Sequence, residues 1–300
     1  MLVTGGSGFV GTNCVAALTT HDYEVHAASR RPRSTPGVNW HQADLLNASE
    51  TAQLLAEVRP SHLVHLAWVV VPGEYWSSPL NVAWVVASLE LIRQFAAIGG
   101  RRAVVVGTGA EYDPAFGRCV ERQTPTSPTS IYGAAKASLG LLLPPVAAAW
   151  GLESTAWARL FYVFGPHESP RRVVPSAVRA LLEGKRFLCS NADQVRDTLM
   201  IEDAADALAA LLVSEVTGPV NIASGHGLAM RALLSAVGDQ MGKRSKLDFQ
   251  TSGSTYREAA CQVADVRRLT DEVGWRPSFT LETGVARAIT WWRDQVGIDG

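Results

Sequence analysis

Short apolar segments alternate with longer stretches of helical character along the first half of the chain. Five segments have the length and composition of buried strands: Met1–Thr4, Glu24–Ser29, Leu63–Ala67, Ala103–Gly107 and Ser154–Leu160. The stretches between them predict four helices: Gly11–Thr19, Ala48–Glu57, Pro79–Ala97 and Ile131–Trp150. Buried strands separated by helices are typical of βαβ units. The pattern therefore predicts a doubly wound α/β domain with a parallel sheet over residues 1–165.

The pattern changes after residue 165, where prolines interrupt a loop-rich stretch. Beyond it we expect helices at Pro175–Glu183, Asp203–Ser214 and Leu281–Asp294, and a short strand at Val220–Ala223. These elements predict a smaller, mixed α/β substrate-binding domain over residues 166–300. Residues 200–225 are expected to return and pack on the first domain.

Composition and charge exclude several classes of protein. The 300 residues carry 27 Lys and Arg against 28 Asp and Glu, so the formal net charge is -1. A chain this close to neutral has no global positive field to hold nucleic acid or an anionic membrane. No uninterrupted apolar run approaches the roughly 20 residues of a membrane span. We therefore expect neither a nucleic-acid nor a membrane partner.

The cysteines and the N-terminus bear on the compartment. Cys14, Cys119, Cys189 and Cys261 stand far apart, so neither a disulfide framework nor a metal site is expected. The N-terminal residues lack the basic and apolar regions of a signal peptide, which predicts a cytoplasmic protein. Because the first predicted strand is so short, a native start upstream of Met1 stays open.

A glycine-rich turn joins the first strand to the first helix. Gly5, Gly8 and Gly11 in Thr4–Gly11 have the spacing of a dinucleotide-binding turn, as in a Rossmann fold. Free N–H groups at the helix N-terminus would hold the pyrophosphate. The turn predicts cofactor contacts from the glycines and the residues between them: Gly5, Ser7, Gly8, Phe9, Val10 and Gly11.

Several further motifs follow in order along the chain. They are Thr108 after a strand, the pair Tyr132 and Lys136 one helical turn apart, and segments 159–166, 196–203, 221–225 and 274–277. From residue 4 to about 295 the chain resembles the extended branch of the short-chain dehydrogenases/reductases, the nucleotide-sugar epimerases, dehydratases and reductases. The resemblance implies a nucleotide-diphosphate sugar as substrate and a homodimer formed through 79–97 and 131–150.

The resemblance implies that Thr108, Tyr132 and Lys136 are catalytic. A tyrosine is a poor acid or base at neutral pH, because its ordinary pKa is near 10. The ammonium of Lys136 and the positive nicotinamide ring would lower that pKa. Thr108 would hold and polarise the substrate carbonyl, and Lys136 would also bond the nicotinamide ribose.

Neighbouring residues narrow the reaction. The 4,6-dehydratases carry an Asp-Glu pair after the threonine, whereas Gly109 and Ala110 stand here. Epimerase–reductases of the GDP-fucose synthase type use a Cys and a His, where this chain has Ala110 and Arg172. What remains is hydride transfer at one carbon, either as a net ketoreduction or as a 4-epimerisation.

The end of the second strand favours NADP(H) over NAD(H). NAD-binding folds usually place an acidic residue there, whereas this chain has Ser29, Arg30 and Arg31. Arginines suit a 2′-phosphate. We therefore expect an NADPH-dependent 4-ketoreductase of a nucleotide-linked 4-keto-6-deoxy sugar. A 4-epimerase with tightly bound NAD(P)⁺ and a non-catalytic NADP-binding regulatory protein are the alternatives.

The resemblance implies further contacts with each ligand. For the cofactor they are Asp44, Leu45, Leu66, Ala67, Asn81 and Val163. For the substrate they are Trp68, Tyr162, Val174, Arg196 and Arg257. Four of these have a structural alternative: Asp44 as a helix N-cap, Trp68 as core, and Arg196 and Arg257 in ion pairs with Asp197 and Glu258. Where Tyr162 stands the family usually has an asparagine.

Overall fold

The computed structural model describes residues 1–21, 23–31, 33–250 and 259–298 of the chain. The strands are β1 Leu2–Thr4, β2 Val25–Ser29, β3 Val38–Gln42, β4 His62–His65, β5 Arg102–Thr108, β6 Arg118–Cys119, β7 Ser154–Leu160, β8 Tyr162–Phe164, β9 Phe187–Cys189, β10 Val195–Met200, β11 Gly218–Ile222, β12 Gly227–Ala229, β13 Leu247–Phe249 and β14 Cys261–Ala264. The helices are α1 Phe9–Thr19, α2 Ala48–Val58, α3 Leu80–Ala97, α4 Ile131–Ala149, α5 Val173–Leu182, α6 Ile201–Val213, α7 Met230–Gln240 and α8 Leu281–Ile298.

A seven-stranded sheet with the order β11-β7-β5-β4-β1-β2-β3 forms the centre of the molecule. Each of its strand pairs is parallel. Alternate side chains point to opposite faces, so Leu2 enters the core beneath α2, α3 and α4, whereas Val3 enters the core beneath α1 and α6. This is the doubly wound, Rossmann-type α/β fold that the sequence predicts.

The edge strand β3 escapes the sequence pattern. None of its five residues is fully buried, and Asn39, His41 and Gln42 are polar. An edge strand pairs on one side only and needs no continuous apolar run. Four strands in the second half of the chain also escape the sequence pattern, because three residues are too few to show a hydrophobic period. They are β8, β9, β12 and β13.

Two late elements, the helix α6 and the strand β11, return to the seven-stranded sheet. After leaving the sheet at the end of β7, the chain returns through α6, which packs against α1, and through β11, which pairs with β7. The guanidinium of Arg102 on β5 donates to the carbonyls of Leu211, Leu212 and Val216. These bonds join the carboxyl end of α6 to the centre of the sheet.

Helices α3 and α4 leave apolar side chains in solvent. Val86 on α3 is 65% exposed and Leu141 on α4 is 72% exposed. By length and composition alone, both helices are apolar enough to span a membrane, which the sequence analysis did not expect. That criterion is weak evidence for a membrane, because core helices of soluble proteins also meet it.

Candidate active site

A cavity of about 230 Å³ opens at the carboxyl ends of the central strands. Parallel strands present their carboxyl ends at one edge, and ligands of doubly wound sheets bind in the crevice there. The cavity brings together many of the predicted site residues: Gly5, Gly8, Phe9, Val10, Gly11, Leu66, Trp68, Thr108, Tyr132, Lys136, Tyr162 and Val163.

The glycine-rich turn is shaped by close backbone contacts. Gly5 has a φ of 67°, and a Cβ on it would lie 2.8 Å from the amide nitrogen of Ala67. A Cβ on Gly11 would lie 2.1 Å from the carbonyl oxygen of Gly5. The turn can therefore close only with glycine at these two positions. The resulting cradle places the N-terminus of α1 against the cavity.

The residues present fit a dinucleotide. Gly8 is the N-cap of α1, and within the described residues no side chain caps that helix. Its first turn holds no acidic residue, so an approaching pyrophosphate meets backbone N–H groups and no negative side chain. Ser7 lies in the same turn and is half-buried.

A buried hydrogen-bonded triad supports this turn from below. The Oγ1 of Thr4 lies 2.7 Å from Nδ1 of His65, whose Nε2 lies 2.8 Å from Oγ of Ser88. Thr4 also accepts hydrogen bonds from the amides of Leu66 and Ala67. Burial, with a smaller effect of Lys136, lowers the pKa of His65 to about 3, so the ring is neutral. His65 therefore has a structural role beneath the turn.

Thr108, Tyr132 and Lys136 converge on the floor of the cavity. Thr108 ends β5, and Tyr132 and Lys136 lie in the first two turns of α4, which Ser130 caps at its N-terminus. The Thr108 side chain hydrogen-bonds the hydroxyl of Tyr132. Nζ of Lys136 donates to the carbonyl of Val106, at 2.7 Å. The predicted catalytic group is therefore assembled in one place.

The electrostatics of this group differ from the expectation. Burial raises the pKa of Tyr132 to about 12, against the lowering that Thr108 and Arg172 produce. Burial lowers the pKa of Lys136 to about 7, although Glu111 acts in the opposite direction. In the chain alone, desolvation outweighs the neighbouring charges and keeps the phenol protonated. The protein's own charges therefore do not produce the expected lowering of the Tyr132 pKa.

Glu111 is a functional neighbour that the sequence analysis missed. Its fully buried carboxylate accepts hydrogen bonds from the amide of Thr108 (2.7 Å) and from the indole of Trp157 (2.9 Å). It also pairs with Arg159 at 2.8 Å. This network fixes the backbone of Thr108 at the end of β5. The Thr108–Glu111 spacing is that of a capping box, a local signal that marks this bond. The bonds to Trp157 and Arg159 have no local signal, because both residues lie more than 40 positions away.

The aromatic segment after β4 forms one wall of the cavity. Tyr75 and Trp76 pack edge-on against the Tyr132 ring, with centroids 4.9 and 5.7 Å away. Trp68 lines the cavity and also packs in the core. Asn81 does not line the cavity. Its buried amide bonds the Trp68 indole and the carbonyls of Tyr75 and Ser78, which orders this wall.

The outer end of β2 carries the predicted ribose contacts. Ser29 is buried and donates to the carbonyl of Arg31, whereas the side chains of Arg30 and Arg31 are exposed. Asp44 is not a helix N-cap, because Asn47 caps α2. The Asp44 carboxylate instead accepts from the amide of Leu46. Leu45 is buried in the core beside α2.

The residues predicted to contact the substrate do not all lie in one place. The guanidinium of Arg196 lies 5.2 Å from the Tyr162 ring and donates to the carbonyls of Val195 and Ala259. The carboxylate of Asp197 accepts from Ser224, Gly225 and Ala264. Val174 lies in the C-terminal core and away from the cavity. Arg257 lies outside the described residues.

Arg172 lines the cavity, which the sequence analysis did not predict. Its guanidinium pairs at 3.0 Å with Glu168, a buried carboxylate. Burial raises the pKa of Glu168 to about 7. The pair places a positive group near Tyr132.

Comparisons with known proteins agree with this geometry. Residues 1–223 match the model of the NAD dependent epimerase/dehydratase family. A UDP-glucose 4-epimerase of Corynebacterium glutamicum is 26% identical over 93% of this chain and 91% of its own length. A dTDP-glucose 4,6-dehydratase of Salmonella typhimurium is 24% identical over 97% of this chain and 92% of its own length.

Two solved structures resemble the chain over almost its whole length. The UDP-glucose 4-epimerase of Thermus thermophilus in complex with NAD is 26% identical, with a TM-score of 0.84 over 97% of this chain and 98% of that one. MoeE5, solved with UDP-glucose and NAD, has the same identity and TM-score over 98% and 99%. These matches favour NAD over the NADP(H) that the sequence analysis expects. The chain therefore belongs to the NAD dependent epimerase/dehydratase family, the extended short-chain dehydrogenases/reductases, and is an enzyme of that type.

Proposed function

We propose that this enzyme is a 4-epimerase of a nucleotide-diphosphate hexose that uses bound NAD. The observation that carries the proposal is the lining of the cavity. None of the described residues that line it is Asp or Glu, whereas it holds Thr108, Tyr132 and Lys136. One phenol next to a hydroxyl suits a reversible proton transfer at a single carbinol. Elimination of water would need a further acid and base.

Each residue has a role that follows from its position. Tyr132 takes the proton from the sugar hydroxyl. It returns the proton after the 4-keto sugar has rotated to present its other face. The Thr108 hydroxyl, fixed by Glu111 through its backbone, orients the same oxygen. Lys136, one helical turn from Tyr132 on α4, supplies positive charge to the same cavity. NAD, held by the turn at Gly5–Gly11, supplies the site that accepts and returns the hydride.

A second candidate is the NADPH-dependent 4-ketoreductase that the sequence predicts. The observation in its favour is the outer end of β2, where Arg30 and Arg31 are exposed and Ser29 takes the place of an acidic residue. Arginines at this point suit a 2′-phosphate. The two candidates differ in whether the nicotinamide is consumed.

The test is an assay with UDP-glucose deuterated at C4, in the presence of NAD at the enzyme's own concentration. We expect the C4 epimer to form, to keep its deuterium, and to leave the nicotinamide absorbance unchanged at the end. Net consumption of NADPH with a 4-keto sugar, without epimerisation, would refute the epimerase in favour of the reductase. Tyr132→Phe serves as the inactive control. An Arg31→Ser variant tests whether Arg31 contributes to binding the 2′-phosphate of NADP(H).

We also propose that residues 166–300 supply the sugar side of the cavity. Ser169, Arg172 and Gln262 line it from this half of the chain. The division at residue 165 therefore assigns the cofactor to the first part and sugar recognition to the second. Replacing Gln262 by Leu is expected to raise KM for the sugar and leave NAD binding unchanged, as measured by calorimetry.

We propose that the exposed apolar side chains of α3 and α4 pair with those of a second copy. Val82, Val86 and Leu141 are 62%, 65% and 72% exposed. Val86→Glu combined with Leu141→Glu is expected to give monomers in sedimentation experiments. Val213→Glu, at a 49% exposed position on α6, is the control and should leave the dimer intact.

A further inference from the structure

Trp68 faces the ammonium of Lys136 directly. Nζ of Lys136 lies 3.7 Å from the centroid of the Trp68 ring, well within the distance at which a cation is attracted by an aromatic face. Lys136 is 4% exposed, so water screens this attraction little. The same ammonium donates to the carbonyl of Val106 at 2.7 Å. The ring and the carbonyl together define where the charge sits.

The indole is held in this orientation from two sides. Its Nε1 donates to Oδ1 of Asn81 at 2.8 Å, and Asn81 is fully buried at the start of α3. Trp84, one turn further along α3, stacks on Trp68 with ring centroids 6.1 Å apart and planes at 29°. Rotation of the Trp68 ring would break the bond to Asn81 and disturb the stack. The face toward Lys136 is therefore preorganised.

We propose that Trp68 is a positioning residue for Lys136, and that its ring face keeps the ammonium charged and fixed in the cavity that Tyr132 also lines. The inference deepens the proposed function and rests on it for the role of Lys136 in catalysis. It assigns Trp68 a role in addition to that of a wall of the sugar cavity.

The other groups near Lys136 leave room for this role. Glu111, after β5, favours the ammonium, but its carboxylate is already bonded to Trp157 and Arg159. His65 on β4 feels the charge of Lys136 and is neutral. Tyr132, on the same helix, is protonated in the chain alone. Trp68 thus adds a second favourable interaction to that of Glu111.

The experiment measures the protonation of Lys136 itself. The chain has four lysines, Lys136, Lys185, Lys243 and Lys246, so protein labelled with ¹³Cε-lysine gives a simple NMR spectrum that Lys136→Met assigns. In Trp68→Leu we expect the pKa of Lys136 to fall by roughly 0.5–1.5 pH units. Trp292→Leu removes a buried indole from the C-terminal core, a cluster that does not include Trp68, and should leave that pKa unchanged.

The sign of the shift separates two roles. If the ring only excluded water, its removal would hydrate Lys136 and raise its pKa, and that result, or no shift, would overturn the inference. Should Trp68→Leu fail to fold, the pair Trp68→Phe and Trp68→Met gives the same comparison, with the smaller shift expected for the aromatic residue.

The same variants report on turnover. We expect the limb of the kcat/KM pH profile that follows Lys136 to move with its NMR titration, by the same amount and in the same direction. An NMR shift in an enzyme without epimerase activity would leave the Trp68 inference standing and refute the proposed function. An active enzyme with no NMR shift would do the reverse.

Discussion

Replacing Lys136 by Met should stabilise the protein while abolishing turnover. Burial lowers the pKa of Lys136 from 10.5 to about 7. The folded chain therefore binds fewer protons than the unfolded chain between these pH values, and this group's contribution to stability decreases as the pH falls from 10.5 to 7. Three and a half pH units correspond to about 5 kcal/mol, which is an upper bound for the effect.

Two interactions of the ammonium reduce that gain. Lys136→Met loses the hydrogen bond to Val106 and the contact with the Trp68 ring. Each is worth about 1–2 kcal/mol. We therefore expect the variant to be more stable by about 2 kcal/mol at pH 7. Because the gain falls by about 4 kcal/mol over three pH units, the difference in free energy of unfolding should decrease with pH and reverse in sign before pH 10.

Urea unfolding followed by tryptophan fluorescence between pH 7 and pH 10 measures that difference, at one fixed protein concentration. Lys185→Met is the matched control, because the Lys185 side chain is 70% exposed and its replacement should change the free energy of unfolding little. A pH-independent difference for Lys136→Met would refute the argument that Lys136 is a desolvated ammonium. Full activity of the variant would refute its catalytic role.

Three further predictions concern the phenol of Tyr132, the glycine-rich turn and the buried carboxylate of Glu168. Tyr132→Phe should lower kcat by roughly 10²–10⁴-fold and leave NAD affinity unchanged in calorimetry, because only the proton transfer is lost. Gly11→Ala should abolish NAD binding, since its Cβ would lie 2.1 Å from the Gly5 carbonyl oxygen, whereas Gly297→Ala, where nothing lies within 4 Å, should bind normally. Burial raises the pKa of Glu168 to about 7, so its contribution to stability decreases as the pH rises from 4.5 to 7. Glu168→Gln should remove about 3 kcal/mol of that pH dependence in urea unfolding; an unchanged slope would contradict the assignment.

The parts of the fold that sequence predicts are those with a local signal. β5 is buried along all seven residues, and the turn at Gly5–Gly11 has a fixed spacing, so both are visible in the sequence. Thr108, Tyr132 and Lys136 were placed by their order in a family pattern, and the structure brings them together. Short strands such as β8 lack a period of their own and form only because β10 offers a partner.

The missed site residues have long-range causes. Glu111 acts through Trp157 and Arg159, which are close in space because β5 and β7 are neighbours in the sheet. Arg172 reaches the cavity because Glu168 holds it, and an i,i+4 pair of this kind also occurs on any exposed helix. The pKa of Tyr132 is raised mainly by desolvation, which depends on the aromatic side chains packed around the phenol. Apart from the capping-box spacing of Thr108 and Glu111, these features depend on contacts between distant parts of the chain.

The return of the chain to its first sheet affects how the protein is made. Strand β11 pairs with β7, and α6 packs against α1, so the nucleotide-binding half lacks an edge strand and one covering helix until residue 222 has been synthesised. At about 5–20 residues per second, the ribosome needs several more seconds after β7 to deliver them. During that interval the β7 edge is open to pairing with another nascent chain. Folding on the ribosome is therefore expected to wait for β11, and a fragment ending at residue 165 should aggregate, whereas one ending at residue 223 retains the complete sheet.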